Sequence, residues 1–296
     1  MAARLLRWPK ALLAFALVVL NTGLLGSVLL LVALLKWLLP PAWRRRPNAW
    51  LAAIAERWIG INSALVAAFT RTEFIVEGGE GLRADHRYLV LANHRSWVDI
   101  PVLQKVLNRR IPLLRFFLKR SLVWVPVLGL CWWALDFPFM RRYSAQQLAR
   151  RPELAGRDLE ETRKACRKFR QMPVSVMVFA EGTRFTPAKR EAGGAPYRHL
   201  LPPRAGGVAF VLGAMGDVLD AVLDVSLHYR PSAPSLIDLF SDRVRTVRVH
   251  LRLLPVPEGL AGADYAGDPQ LRRRFQDWIN ALWAEKDARL AAWSVA

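Results

Sequence analysis

Apolar and polar positions divide the chain into two differently patterned parts. From 11 to 35 the run ALLAFALVVLNTGLLGSVLLLVALL holds 25 residues without a charge. As a helix at ~1.5 Å per residue it would extend about 38 Å, enough to cross or deeply enter a bilayer. Asn21, Thr22 and Gly23 fall in its middle, where they can bend such a helix. A second apolar stretch, 50–69, is interrupted by Glu56, Arg57 and Asn62 and reads as a surface-lying helix. Basic residues flank the first run on both sides, with Arg4, Arg7 and Lys10 before it and Lys36, Arg44, Arg45 and Arg46 after it, so the positive-inside rule assigns no orientation. Two geometries fit: a single span with a cytoplasmic domain, or two helices dipping into one leaflet with PPAWRRRPN as their connection. A cleaved signal peptide fits poorly, because the run is too long and lacks a small-x-small cleavage site.

Beyond Arg71 the pattern shortens. FIVEG, RYLVLA, PLLRFFL, DFPFM, SVMVFA, AVLDVSLHY and TVRVHLRLLPV read as strands with helix-like segments between several of them. This predicts an α/β fold, a mixed sheet flanked by helices, preceded by a hydrophobic membrane-associated helical segment. The division is residues 1–70 for membrane binding and 71–296 for the catalytic domain. The segment 147–170 is charged and helix-prone. Asp268-Pro269 opens an amphipathic helix whose Leu271, Phe275, Trp278, Ile279 and Leu282 share a face and should pack on the sheet. The turn-rich GGAPYRHLLPPRAGG, 193–207, belongs near a site rather than in a linker.

Composition narrows the partners without choosing one. Of 296 residues 53% are hydrophobic, yet Lys and Arg number 43 against 24 Asp and Glu, a formal charge of +19. That is a core-forming protein that attracts anions, whether nucleic acid, anionic lipid, phosphorylated small molecules or acidic carrier proteins. Cys131 and Cys166 stand 35 positions apart without a CxxC, which supports neither a disulfide framework nor a zinc ribbon. His86, His94, His199, His228 and His250 have no compact ligand spacing, so no metal is expected. A GxSxG elbow, a P-loop and a complete GxGxxG are all missing from the sequence.

LANHRSWVD, 91–99, follows the apolar strand RYLVLA and sets a histidine five positions before a carboxylate. On one helix His94 and Asp99 would lie about 140° apart, so they can meet only across a turn. Such a turn is available between a strand ending at Ala92 and a helix whose first turn holds Pro101. A carboxylate on one ring nitrogen fixes the tautomer and leaves the other nitrogen as general base for a hydroxyl. Arg95, Ser96, Trp97 and Val98 supply spacing and shape. VFAEGTR, 178–184, also ends an apolar strand in a polar turn, with Gly182 permitting close backbone approach and Arg184 able to clamp a phosphate.

Together NHRSWVD and FAEGTR resemble the glycerolipid acyltransferase family, whose members carry an NHxxxxD block, an arginine-ended second block, an EGTR block and a proline-bearing fourth block. The second is FPFMRR, with Arg142 at the family position, and the fourth is LPPR, with Pro203. FFLKRSLVWVPVLGLCWWALDFPFMRR is similar to the lysophosphatidic acid and lysophospholipid acyltransferase branch, in which a lysine at the position of Lys119 helps form a phosphate-binding wall. Two departures stand out: Ala180 replaces the usual proline before EGTR, and Arg141 replaces a frequent acidic residue.

The resemblance implies transfer of a fatty acyl group from acyl-CoA or acyl-ACP, meaning the acyl carrier protein, to the free hydroxyl of a lysophospholipid such as 1-acylglycerol-3-phosphate. No bound cofactor is implied. His94 and Asp99 would be catalytic; Lys119, Arg142, Glu181, Gly182, Thr183, Arg184 and Pro203 would bind substrate, with Glu181 ordering the cations or the acceptor. Backbone N–H groups near His94 or Gly182 would serve as oxyanion donors. The implied setting is a membrane, the bacterial inner membrane with its site on the cytoplasmic face. Rival readings are a nucleic-acid-binding protein, prompted by Arg44–Arg46 and Arg272–Arg274, and a non-catalytic membrane scaffold. The apolar run and the lack of a reader motif weigh against specific nucleic-acid binding, and an intact His94 and Asp99 weigh against the scaffold.

Overall fold

In the computed structural model, residues 7–140, 164–194, 196–231, 233–263, 265 and 267–295 are described. Arg142 and Arg141 lie outside them, as do Arg4 and most of the expected helix in 147–170, of which 164–169 are described and helical.

Helix α1, Arg7–Leu38, runs unbroken through Asn21, Thr22 and Gly23, although that triplet can bend a helix. Each polar group there finds a partner that leaves the backbone ladder intact. Thr22 donates back to Val18 O and accepts from Trp58 Nε1, while Asn21 donates to Asn62 Oδ1 at 2.8 Å and to Trp58 O. Trp58 and Asn62 belong to α2, Arg45–Phe69, so the triplet fastens the two helices into a hairpin. Both are long and apolar enough to cross a membrane, and little of either apolar window is covered by protein, 11% for α1 and 22% for α2.

The remaining chain builds strands β1 (Glu73–Gly78), β2 (Arg87–Ala92), β3 (Leu114–Phe116), β6 (Val174–Phe179), β7 (Ala221–Arg230) and β8 (Thr246–Leu254) into one sheet of order β1-β8-β7-β2-β6-β3. Only the β7–β8 pairing is antiparallel, which makes the sheet mixed as the alternation predicts. A separate parallel pair joins β4 (Leu118–Lys119) to β5 (Phe139–Met140). The intervening helices are α3 (Asp99–Leu107), α4 (Leu128–Ala134), α5 (Pro187–Gly193), α6 (Ala205–Met215), α7 (Leu236–Phe240) and the long C-terminal α8 (Pro269–Val295).

Strand β2 is central and buried on both faces, which is why it reads as a continuous apolar run rather than an alternation. Tyr88, Val90 and Ala92 enter one core with α3 and α4, while Leu89 and Leu91 enter the other with α6 and α8. The α1–α2 hairpin closes the first core. Gly26 of α1 comes so near α4 that a Cβ there would meet Val127 at 2.5 Å. On the other face Phe275, Ile279, Leu282 and Trp283 of α8 cover the sheet, as the helical spacing predicts.

Polar contacts also anchor α8. Asp224 of β7 is buried, and the equally buried Lys286 of α8 lies 2.7 Å from its Oδ1 and donates to Val225 O. Arg252 approaches the same carboxylate at 3.4 Å. Removing one partner of such a pair strands a buried charge, which costs more than the intact pair contributes. Lys286→Met should therefore lower the unfolding free energy by about 3–5 kcal/mol in chemical denaturation. Adding Asp224→Asn to it should recover part of that loss.

Candidate active site

Sheet register explains why residues far apart in sequence converge. Ala92 and Phe179 are parallel partners at the ends of adjacent β2 and β6, so the chain leaves both strands at the same edge and the HRSWVD and EGTR turns emerge side by side. Ala92 also pairs with Val225, which leaves Leu227 and Tyr229 of β7 extending past the end of β2. Asn93 continues the sheet with its side chain: its amide donates to Leu227 O at 2.9 Å and accepts from Leu227 N at 2.8 Å. That buried bidentate pairing ends the strand and sets the direction of the turn.

His94 and Asp99 meet across this turn. His94 Nδ1 and Asp99 Oδ2 are 2.7 Å apart, and Oδ2 also accepts from the N–H groups of Arg95 at 2.7 Å and Ser96 at 3.0 Å. Tyr229 Oη donates to the other oxygen, Oδ1, at 2.7 Å. Asp99 begins α3, where the helix N-terminus favours a negative charge, and its side chain has no exposure. The His94 side chain keeps 19% and stacks on Phe179 with ring centroids 4.0 Å apart. With Nδ1 facing the carboxylate, Nε2 is the nitrogen left to take a proton from a substrate hydroxyl.

Glu181 acts from inside. It is 1% exposed, and its two oxygens accept from His94 N at 2.8 Å and Leu201 N at 2.9 Å. Glu181 thereby braces the histidine turn against the LPPR segment. Pro203 is likewise buried, its carbonyl accepting from Gln276 of α8. Gly182 adopts φ +68, a conformation that favours glycine, and its N–H returns to Phe179 O. Thr183 accepts from Lys189 Nζ at 2.7 Å. The backbone N–H groups of His94, Arg95, Ser96 and Gly182 are thus all engaged within the protein.

Cations lie at the exposed rim. The Arg184 guanidinium sits 4.6 Å from the centroid of Trp97, which joins the two turns across their outer surface. Lys119 is exposed on β4 and pairs with Met140 of β5, which places it beside the strand leading to Arg142. Arg95 is buried, spans Phe185 at 4.7 Å and donates to His199 O, so it is more than a spacer. Sequence reasoning missed Asn93 as a lock and Tyr229 as a partner of Asp99. The alternation of AVLDVSLHY, which puts Leu227 and Tyr229 on one face, carried a signal for the second but not for its target.

A mixed α/β sheet whose parallel strands end at a histidine oriented by a buried carboxylate is suited to activating a hydroxyl. Comparison with known proteins places the chain: the family model described as Acyltransferase matches residues 73–227, and the chain belongs to this family and is an acyltransferase. Human 1-acyl-sn-glycerol-3-phosphate acyltransferase delta is 24% identical over 93% of this chain and 71% of its own length. A probable 1-acyl-sn-glycerol-3-phosphate acyltransferase 5 of Arabidopsis thaliana is 26% identical over 66% of this chain and 52% of its own. The crystal structure of the 1-acyl-sn-glycerophosphate acyltransferase PlsC from Thermotoga maritima superposes with a TM-score of 0.59 at 17% identity, covering 96% of this chain and 98% of that one, a likeness of fold.

Burial pushes the Glu181 carboxyl from its usual 4.5 up to about 7, against the pull of the His94 and Leu201 N–H groups and the charges of Arg95 and Lys286. A carboxyl whose folded value is raised binds its proton more tightly when folded. Its contribution is therefore full below about 4.5 and is lost as pH rises through about 7. The unfolding free energy of the wild type, minus that of Glu181→Gln, should fall as pH is raised from 5 to 7.5 in parallel denaturation curves.

Proposed function

We propose that this acyltransferase moves a fatty acyl group from acyl-CoA or acyl carrier protein to the sn-2 hydroxyl of a lysophospholipid, 1-acylglycerol-3-phosphate, giving phosphatidic acid. The observation that carries the mechanism is the 2.7 Å contact between His94 Nδ1 and an Asp99 carboxylate with no solvent exposure. His94 Nε2 removes the hydroxyl proton as the oxygen attacks the thioester carbonyl. Asp99 stays ionised and supports the imidazolium. When the tetrahedral intermediate collapses, the carbon–sulfur bond breaks and the imidazolium returns its proton to the departing thiolate.

The exposed Lys119 and Arg184, with Arg142, supply charge for the acceptor phosphate. The names of the human and Arabidopsis relatives support the choice of acceptor. The N-terminal segment 1–70, through its α1–α2 hairpin, holds the 71–296 catalytic domain at a membrane, because acceptor and product both partition into lipid. With both helices entering one leaflet, every basic cluster faces the cytoplasmic side, of the inner membrane in a bacterial cell.

His94→Ala should lower kcat by about 1,000-fold and Asp99→Ala by about 100-fold, in keeping with the usual contribution of a positioned base and its orienting carboxylate. The assay is release of free thiol from acyl-CoA in the presence of 1-acylglycerol-3-phosphate. Both variants should keep wild-type helicity and co-sediment with vesicles. Normal turnover by folded His94→Ala would refute the role given to this histidine.

A further inference from the structure

Tyr229 stands in the site without a role in the mechanism just described. It lies on β7 beyond the segment 73–227 that matches the family. Its side chain is 1% exposed and belongs to the core formed with Leu227, Val247 and Val249, so the ring is held by packing. The division of labour at the Asp99 carboxylate is uneven. Oδ2 serves His94 and the N–H groups of Arg95 and Ser96, whereas Oδ1 receives the Tyr229 hydroxyl at 2.7 Å. Without that hydroxyl a buried anionic oxygen loses its hydrogen bond, and the carboxylate is held through Oδ2 alone.

We propose that Tyr229 is a positioning residue for acyl transfer, whose hydroxyl helps hold the Asp99 carboxylate and draws off part of its charge, loosening the grip of that carboxylate on the His94 imidazolium formed during transfer. The inference rests on the reading of His94 as the base. A hydrogen bond to an ionised carboxylate spreads its charge and weakens its hold on a neighbouring imidazolium. Burial, followed by the adjacent Asp99 charge, raises the Tyr229 hydroxyl well above the ordinary phenol range, which keeps it a donor at any working pH. The other charged group facing this pair is Arg95 on the same turn, which Glu181 at the end of β6 and Asp287 of α8 face in turn, with Lys286 of α8 acting on Glu181. None of them donates to Oδ1 among the described residues, so the tyrosine has no substitute there.

The test is Tyr229→Phe in the full chain, assayed in detergent with acyl-CoA and 1-acylglycerol-3-phosphate across pH 5.5–9 beside wild type and His94→Ala. We expect kcat to fall about tenfold with both KM values within about twofold, and the acid limb of kcat/KM to move up by about 0.5–1 pH unit. Val247→Ala, a core substitution that removes no hydrogen bond, should lower the unfolding temperature and leave the limb in place. If Tyr229→Phe does not fold, 3-fluorotyrosine at position 229 keeps the shape and strengthens the donor, and the limb should then move down. Full kcat with an unmoved limb in Tyr229→Phe, or an unmoved limb with 3-fluorotyrosine, overturns the proposal. An inactive His94→Ala beside a fully active Tyr229→Phe overturns the tyrosine's role alone, whereas an active His94→Ala overturns the base and the tyrosine's role together.

Discussion

The site depends on a single buried carboxylate. Asp99 has no exposure, and four hydrogen-bonding groups surround it: the His94 ring, two backbone N–H groups of its own turn and the hydroxyl of Tyr229. An ionised group with so little water survives folding only when its lone pairs are occupied, and those contacts fix the loop that supplies them. The turn cannot relax without exposing or stranding the charge, so the histidine inherits its geometry from the needs of the aspartate. A fixed imidazole beside a fixed carboxylate is what a general base requires, because reorientation is settled during folding rather than at each turnover.

Support for that turn comes from every neighbouring element. Asn93 stitches its start to β7, and Glu181 stitches the next residue to the LPPR segment. Arg95 reaches His199 O, and Asp287 of α8 accepts from the N–H groups of Arg198 and His199. One residue earlier on α8, Lys286 is paired with Asp224 of β7. A path of direct contacts thus runs from the C-terminal helix through Arg198 and His199 to the His94 turn, and buried polar groups of this kind specify one arrangement when all their partners are present. Side chains left at the surface, including Arg184, Trp97 and Lys119, are the ones free to meet a substrate.

The strands were legible because their apolar runs are bounded by turn formers, and β2, buried on both faces, shows as one continuous apolar run. The same reasoning found α8 from Asp268-Pro269 and the spacing of Leu271, Phe275 and Ile279, and it required His94 and Asp99 to meet across a turn. Roles set by distant partners were not legible. The local sequence does not tell that Glu181 is buried on His94 N and Leu201 N, or that Asp99, Glu181 and Phe179 take four N–H groups of the two turns. Tyr229 stands 130 positions from Asp99, and only the register of β7 beside β2 joins them. Helix α1 is continuous through Asn21-Thr22-Gly23, a triplet able to bend a helix, and α2 presents Trp58 and Asn62 to those polar groups.

A hydrophobic hairpin docked on the α/β sheet suits the proposed reaction, whose acceptor and product are both lipids. In that proposal the surface brings lipid to a base oriented for one hydroxyl, and the reaction is defined by the ester bond it forms. Mass spectrometry of products from the purified chain, given acyl-CoA and a panel of lysophospholipids in mixed micelles, tests this most directly. The predicted result is phosphatidic acid from 1-acylglycerol-3-phosphate, with the new acyl group at sn-2 and one free thiol released per molecule formed. Thiol release without a diacyl product, or no new ester on any acceptor, would contradict it.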